Sequence, residues 1–127
     1  MRPAELLRLR LRCDASAPAQ ARRAISKLAA IDAVRDDALL IVSELATNAV
    51  VHSGSEPEEE FELRAELVPS GLRIAVIDPG RSNKTPVPRN GNTRGPGGMG
   101  LRVVELLARR WGSERNRQLE VWAELAL

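Results

Sequence analysis

A chain of 127 residues and 13.9 kDa has the size of one domain that buries a full hydrophobic core, so we predict a single domain over residues 1–127. Its composition is ordinary for a globular protein, with 43% apolar residues, 28% charged residues and a net charge of +2, and its one cysteine excludes an internal disulfide or a multi-cysteine metal site. The sequence lacks an apolar run that could span a bilayer and the apolar segment of a signal peptide, so we expect a cytoplasmic protein with no membrane partner.

The start of the chain predicts a strand and then a helix. Leucines alternate with arginines over residues 5–12, and this period of two is typical of a half-buried strand, with Cys13 as a small residue at its end. The next residues have the chemistry of a helix start, with Ser16 as the predicted N-cap and Pro18 in the first turn. Apolar residues at steps of three and four predict that this helix continues to about Ala30.

A second helix and a hairpin are predicted next. The helix begins at Asp32 or Arg35, carries apolar residues on one side and ends at the Ser-Gly pair of residues 53–54. Apolar and charged residues alternate over residues 60–68, and residues 72–77 form a second, mostly apolar strand. The Pro-Ser-Gly turn that separates these two strands predicts a β-hairpin.

The last part of the chain predicts a long loop, a helix and a strand. Residues 78–98 contain five glycines and four prolines, and a loop of this length in a compact domain is either functional or disordered. Residues 99–110 are predicted to be helical, with the Trp-Gly pair of residues 111–112 ending the helix. Residues 118–125 predict a final strand, and residues 112–115 are the candidate for a short extra strand.

The order of these elements predicts the fold class. The order is strand, helix, helix, strand, strand, loop, helix and strand, so strands form hairpins and the first two helices follow each other. This order favours an α+β fold, which we expect to be a two-layer sandwich with the helices on one face of a largely antiparallel, mixed sheet.

The charges are distributed unevenly along the chain. Residues 79–104 contain five basic residues and no acidic one, beside several glycines. Such a stretch favours an anionic ligand such as a phosphate chain, and a solvated basic loop is the alternative. Nucleic acid is a weaker option, because the stretch has no aromatic residue on which a base could stack.

Glu44, Asn48 and His52 follow one another at steps of four, which places them on one face of the second predicted helix. A polar row of this kind is often only the solvated side of an amphipathic helix. Two features favour a functional row instead: it interrupts a segment of mostly apolar or small residues, and it precedes the glycine-rich, basic stretch.

Two further segments have the chemistry of a nucleotide site. Asp78 ends an apolar strand, where its carboxylate can accept a hydrogen bond from an amino group, and Gly80 lets a ligand approach the backbone; a plain turn is the alternative. Glycines at the predicted start of the helix over residues 99–110 leave backbone N–H groups open to phosphate. The segment matches neither a Walker P-loop nor a Rossmann fingerprint.

In this order, the three segments resemble the N, G1 and G2 boxes of the GHKL ATPase superfamily, whose ATP site also includes a flexible lid. The resemblance covers nearly the whole chain, and the chain is most similar to the small stand-alone anti-sigma-factor serine/threonine kinases of bacteria. It implies the Bergerat-type ATP-binding sandwich of that superfamily, with ATP and Mg²⁺ as cofactors. It also implies a lid over about residues 81–97, which we expect to be mobile without ATP.

The resemblance implies a role for each candidate residue. Glu44 corresponds to the catalytic carboxylate that orients or deprotonates the attacking hydroxyl, and Asn48 to the Mg²⁺ ligand beside the nucleotide. Asp78 corresponds to the residue that binds the adenine amino group. His52 would lie near the nucleotide, with a packing role as the alternative. The other nucleotide-binding positions implied are Gly80, Gly97, Gly98, Met99, Gly100 and Leu101.

One departure from the family pattern concerns nucleotide affinity. Relatives often carry a Gly-Lys-Thr run before the last strand, and its threonine assists adenine recognition. Here the corresponding residues are Gln118, Leu119 and Glu120. We expect Glu120 to lie near Asp78, where its negative charge would weaken nucleotide binding.

The function implied by the resemblance is that of an anti-sigma factor with kinase activity. Its partners would be a sigma factor and a STAS-domain antagonist phosphorylated on serine or threonine, with no direct contact to nucleic acid, and a homodimer is a further expectation. A nucleotide-binding partner-switch module with little or no kinase activity is the first alternative. A histidine-kinase catalytic domain is less favoured, because the one histidine lies in the helix of Glu44 and the phosphoacceptor would have to come from another chain.

Overall fold

The computed structural model describes residues 3–80 and 100–127, so the predicted lid over residues 81–97 and the candidates Gly97, Gly98 and Met99 lie outside the described residues. Within these ranges the strands are β1 (Ala4–Arg12), β2 (Glu60–Val68), β3 (Gly71–Asp78), β4 (Arg110–Arg115) and β5 (Leu119–Leu125). The helices are α1 (Ala17–Ser26), α2 (Arg35–His52) and α3 (Gly100–Leu107), and a 3₁₀ helix covers Ala29–Val34. None of these helices is both long enough and apolar enough to cross a membrane.

The five strands form one sheet in the order β1-β2-β3-β5-β4, and each neighbouring pair is antiparallel. One face of the sheet is apolar and mostly buried, because alternate residues of β2, β3 and β5 point to it, as Leu63, Ile74 and Val121 do. The helices cover this face: α2 packs against α1, α3, β3 and β5. The predicted α+β sandwich with a largely antiparallel sheet is therefore confirmed, and no described pair of strands is parallel.

The first helix is shorter than predicted. It ends at Ser26 and not near Ala30, because the Arg35 guanidinium binds the carbonyl oxygens of Ser26 and Leu28, the latter at 2.8 Å, and the 3₁₀ helix follows. Ser16 occupies the N-cap position but its side chain makes no capping bond. Instead, the Ser16 N–H donates to Asp14 Oδ1 at 2.9 Å, so Asp14 closes the turn before the helix.

The end of the third helix also differs from the prediction. The periodicity predicts a helix over residues 99–110, whereas α3 ends at Leu107, and Trp111 and Gly112 belong to β4. The Arg109 N–H donates to the Glu124 carbonyl at 2.8 Å, so the chain joins the sheet as soon as the helix stops. The extra strand considered near residues 112–115 is present and is longer than expected.

A charged network covers the other face of the sheet. Glu124 is only 2% exposed, and its carboxylate accepts hydrogen bonds from Ser70 Oγ at 2.7 Å, Arg110 Nε at 3.0 Å and Arg73 Nη1 at 3.2 Å. Burial disfavours the ionised form, but these donors outweigh it and hold the pKa of Glu124 below its ordinary value. The Arg73 guanidinium also lies 4.3 Å from the centre of the Trp122 ring. These contacts connect β3, β4 and β5 on the face away from the helices.

The β2–β3 hairpin depends on a glycine. Gly71 has a φ of +138°, and a β-carbon at this position would lie 2.0 Å from the Leu125 carbonyl oxygen, which belongs to the backbone and cannot move aside. We expect Gly71→Ala to lower the free energy of unfolding by about 3 kcal/mol or more. Gly112→Ala is the matched control: its β-carbon would meet the Trp122 side chain at 2.9 Å, and we expect a loss of about 1–2 kcal/mol. Urea unfolding of both variants measures the difference, and equal losses would contradict this account of the hairpin.

Candidate functional site

Helix α2 carries the predicted polar row at the border between the buried and the exposed side of the helix. Its core face is formed by residues such as Leu45 and Ala49, which are at most 1% exposed. Glu44, Asn48 and His52 are all half-buried, and the steps of four place them in a line along one side of the helix. The helix that carries this line packs against both β3 and α3, the elements that carry the other two candidate segments.

The Glu44 carboxyl group has the environment of a proton acceptor. Its partial burial disfavours the charged form and raises its pKa above the ordinary value. A carboxylate with a raised pKa is a stronger base than an exposed one, which suits it to take a proton from a hydroxyl group. Among the residues that the structure describes, no cation is identified as lowering this pKa.

Asp78 lies at the end of β3, on the face of the sheet that the helices cover, and is 2% exposed. Its Oδ1 accepts a hydrogen bond of 2.7 Å from the Gly80 N–H. Burial raises the pKa of Asp78, and the Gly80 hydrogen bond and the charge of Arg115 offset part of that rise. The site therefore contains a buried carboxylate with one oxygen fixed by the following turn.

Gly80 is required by the shape of this turn. Its φ of +73° lies in the left-handed region, and an added β-carbon would lie 3.3 Å from backbone atoms of Gln118 and Leu119. The turn after β3 thus packs directly on the start of β5, and a side chain at this position would push the two apart.

The expected position of Glu120 near Asp78 is wrong. In the antiparallel pairing of β3 with β5, Asp78 is opposite Leu119, and Glu120 is opposite Ile77. Because successive side chains of a strand point to opposite faces, Glu120 lies on the other face of the sheet, where it binds Arg73 Nη2 at 3.1 Å. The buried, uncharged Leu119 is the β5 neighbour of Asp78, so Glu120 brings no negative charge to the candidate adenine site.

Cys13 is a buried residue just after β1, as the sequence predicts for a small residue at a strand end. Burial raises the pKa of its thiol, the nearby Ser55 side chain opposes this rise, and the charge of Asp78 adds to it. The thiol is therefore neutral at physiological pH, and Cys13 is a packing residue beside the site rather than a reactive one.

Only part of the third candidate segment, the glycine-rich start of the third helix, lies in the described residues. Gly100 begins the helix, and Leu101 and Val104 pack in the hydrophobic core, at 5% and 0% exposed. Because the Leu101 side chain faces the core, any contact of Leu101 with a nucleotide would come from its backbone. Gly97, Gly98 and Met99, which precede this helix, are outside the described residues.

The donor set of α2 fits a magnesium ion held jointly by protein and phosphate. In the described ranges, no three His, Cys, Asp or Glu side chains converge to form a metal site. Mg²⁺ commonly binds one or two protein oxygens and completes its shell with phosphate oxygens and water. The half-buried amide of Asn48, one turn from Glu44, offers one such oxygen.

Two comparisons with known proteins agree with this geometry. A family model described as a histidine kinase-like ATPase domain matches residues 11–124. A crystal structure of the RsbU and RsbW domains of a protein from Mycobacterium tuberculosis is similar to this chain, with a TM-score of 0.61, 21% sequence identity and 99% of this chain covered. At this identity the likeness shows the fold alone, and this chain spans only 33% of the length of that protein's chain. No protein with a curated function matches the chain in sequence.

Proposed function

Since the chain belongs to the family of histidine kinase-like ATPase domains, we propose that it binds ATP with Mg²⁺ and transfers the γ-phosphate to a serine or threonine of a partner protein. The half-buried Glu44 carboxylate, one turn before Asn48 on α2, is the observation that favours transfer over binding alone. Its raised pKa suits a base for a hydroxyl group, and a module that only binds nucleotide has no use for such a base.

Residues from two elements would hold the nucleotide. The Asp78 carboxylate accepts a hydrogen bond from the adenine amino group, because a carboxylate offers acceptors only and adenine presents a donor there. The Asn48 side-chain oxygen contributes to the Mg²⁺ shell, and the ion, when bound, neutralises charge on the phosphate oxygens. His52, on the same line of α2, is the candidate for a further contact near the nucleotide.

In the transfer step, the phosphoryl group passes directly from ATP to the substrate hydroxyl, and the protein forms no covalent bond to it. The hydroxyl oxygen of the substrate forms a bond to the γ-phosphorus, the bond between that phosphorus and the bridging oxygen breaks, and ADP leaves. Glu44 receives the hydroxyl proton on a carboxylate oxygen. The remaining work is to position the two reactants and to place positive charge near the phosphates.

The partner we propose is a STAS-domain anti-sigma-factor antagonist, with a sigma factor as the alternative partner, so that phosphorylation decides which of the two is held. The similarity to an RsbW domain and the resemblance to anti-sigma-factor kinases support this proposal.

We also propose a cytoplasmic homodimer. Among the described residues, the edge strand β1 pairs with β2 on one side only, and it carries the half-buried Leu6, Leu7 and Leu9.

A phosphate-transfer assay tests the proposal. Purified protein, ATP and Mg²⁺ are incubated with a candidate STAS-domain antagonist, and an antagonist with alanine at its acceptor serine or threonine is the control. We expect label only on the natural antagonist. Nucleotide binding without transfer to any antagonist would favour the alternative, a partner-switch module with little or no kinase activity. Transfer only to a histidine would favour a histidine-kinase catalytic domain.

A further inference from the structure

Arg115 occupies a position that the sequence motifs do not single out. It is the last residue of β4 and lies opposite Leu119 of β5, which in turn lies opposite Asp78 of β3. The three residues therefore form a row across neighbouring strands on one face of the sheet. This is the face that the helices cover and on which the candidate adenine site lies.

Arg115 is connected to Asp78 through the turn that follows β3. Its Nη1 donates a hydrogen bond of 3.2 Å to the Gly80 carbonyl oxygen, and the Gly80 N–H donates to Asp78 Oδ1 at 2.7 Å. Gly80 thus uses its carbonyl oxygen to bind Arg115 and its N–H group to bind Asp78. The Arg115 guanidinium therefore holds in place the glycine that orients the Asp78 carboxylate. Leu119 lies between Arg115 and Asp78 in this row, but its apolar side chain cannot form a hydrogen bond to either of them.

The charge of Arg115 also acts on Asp78. Burial raises the pKa of this carboxyl group, and Arg115 is the cation identified as lowering it. The Cys13 thiol also interacts with Asp78, but it is neutral and therefore brings no compensating charge. Arg73 and Arg110, on the same sheet, bind the carboxylate of Glu124 on the opposite face. Within the described ranges, the electrostatic support for an ionised Asp78 thus comes from Arg115 together with the Gly80 N–H.

We propose that Arg115 is a positioning residue for adenine recognition, which holds the Gly80 turn in place and thereby fixes the Asp78 carboxylate for the adenine amino group. The inference rests on the proposed function, since it concerns the same ATP site. Arg115 of β4 would then influence nucleotide binding indirectly, through Gly80, without contacting the adenine base.

The test compares Arg115→Ala and Arg115→Lys with Arg117→Ala, which removes an exposed arginine from the turn that follows β4. ATP affinity is measured by calorimetry with Mg²⁺ from about pH 8 to about pH 5. We expect Arg115→Ala to bind ATP about tenfold more weakly near neutral pH, with a loss that grows as the pH falls, because Asp78 then takes up a proton more readily. Arg115→Lys keeps the charge and should retain most of the wild-type pH profile, and Arg117→Ala should match the wild type.

A second measurement needs no nucleotide. The chain has five aspartates, so carbon-13 NMR of labelled aspartate carboxyl groups resolves the Asp78 titration, with Asp78→Asn to assign its signal. We expect Arg115→Ala to raise the pKa of Asp78 and Arg117→Ala to leave it unchanged. Equal ATP affinities, pH profiles and titrations in the two alanine variants would overturn the inference while leaving the proposed function intact. Wild-type protein that fails to bind ATP would instead overturn the proposed function, and the adenine role of Arg115 with it.

Discussion

Replacing Glu44 by glutamine should lower the rate of phosphate transfer by about 100- to 10,000-fold and leave ATP affinity within about twofold of the wild type. The amide keeps the size and most of the hydrogen-bonding capacity of the carboxylate but cannot accept the hydroxyl proton. In the proposed mechanism the carboxylate acts on the attacking group and not on the nucleotide, so the loss should be in the transfer step. Single-turnover transfer to the antagonist and calorimetric titration with ATP measure the two quantities separately.

The pH dependence of transfer gives an independent check on this assignment. A general base must be deprotonated to act, so transfer should fall as the pH drops through the pKa of Glu44, which burial raises above its ordinary value. This acidic limb should be absent from the residual activity of Glu44→Gln. Asp36→Asn, which neutralises an exposed carboxylate two turns earlier on α2, is the matched control and should keep both the rate and the profile. Wild-type rates in Glu44→Gln would show that another group is the base.

Asp78→Asn should lower ATP affinity by about 100-fold or more, because it replaces a carboxylate by a neutral amide at the proposed contact with the adenine amino group. The same change should not destabilise the fold. Burial raises the pKa of Asp78, which means that the ionised carboxylate is less stable in the folded chain than in the unfolded one. Removing that charge should therefore leave the free energy of unfolding unchanged or raise it at neutral pH.

The sign of this stability effect follows from the direction of the pKa shift. At pH values above the folded-state pKa of Asp78, the wild type carries the unfavourable buried charge and Asp78→Asn does not. As the pH falls through that pKa, the wild-type carboxylate takes up a proton and the advantage of the variant should disappear. Urea unfolding at several pH values, combined with ATP titration, measures both effects. A variant that is less stable than the wild type and still binds ATP would contradict the assignment of Asp78.

Much of the fold could be predicted from local patterns, because those patterns report which side of an element is buried. The alternation over residues 60–68 predicts β2 with its exact bounds, and the steps of four from Glu44 to His52 lie on one side of α2 as expected. The family match over residues 11–124 agrees with the order of motifs from which the superfamily was inferred. Whether each motif residue binds nucleotide stays a prediction.

The sequence predictions that were wrong concern features set by contacts between distant parts of the chain. The register of β5 against β3 decides that Leu119 and not Glu120 is beside Asp78, and a shift of one residue would exchange the two faces. Local periodicity carries no information about that register. In the same way, the helical pattern over residues 99–110 could not show that Arg109 binds the Glu124 backbone and starts a strand. Arg115 belongs to no motif, and only the pairing of three strands places it in one row with Asp78.

Calorimetric titration of the wild-type protein with ATP and Mg²⁺, alongside Asp78→Asn, decides whether this chain binds ATP through the end of β3. We expect saturable binding of ATP by the wild type and its loss in the variant, while both proteins remain folded. Absence of ATP binding by the folded wild type, or equal binding by the two proteins, would contradict it.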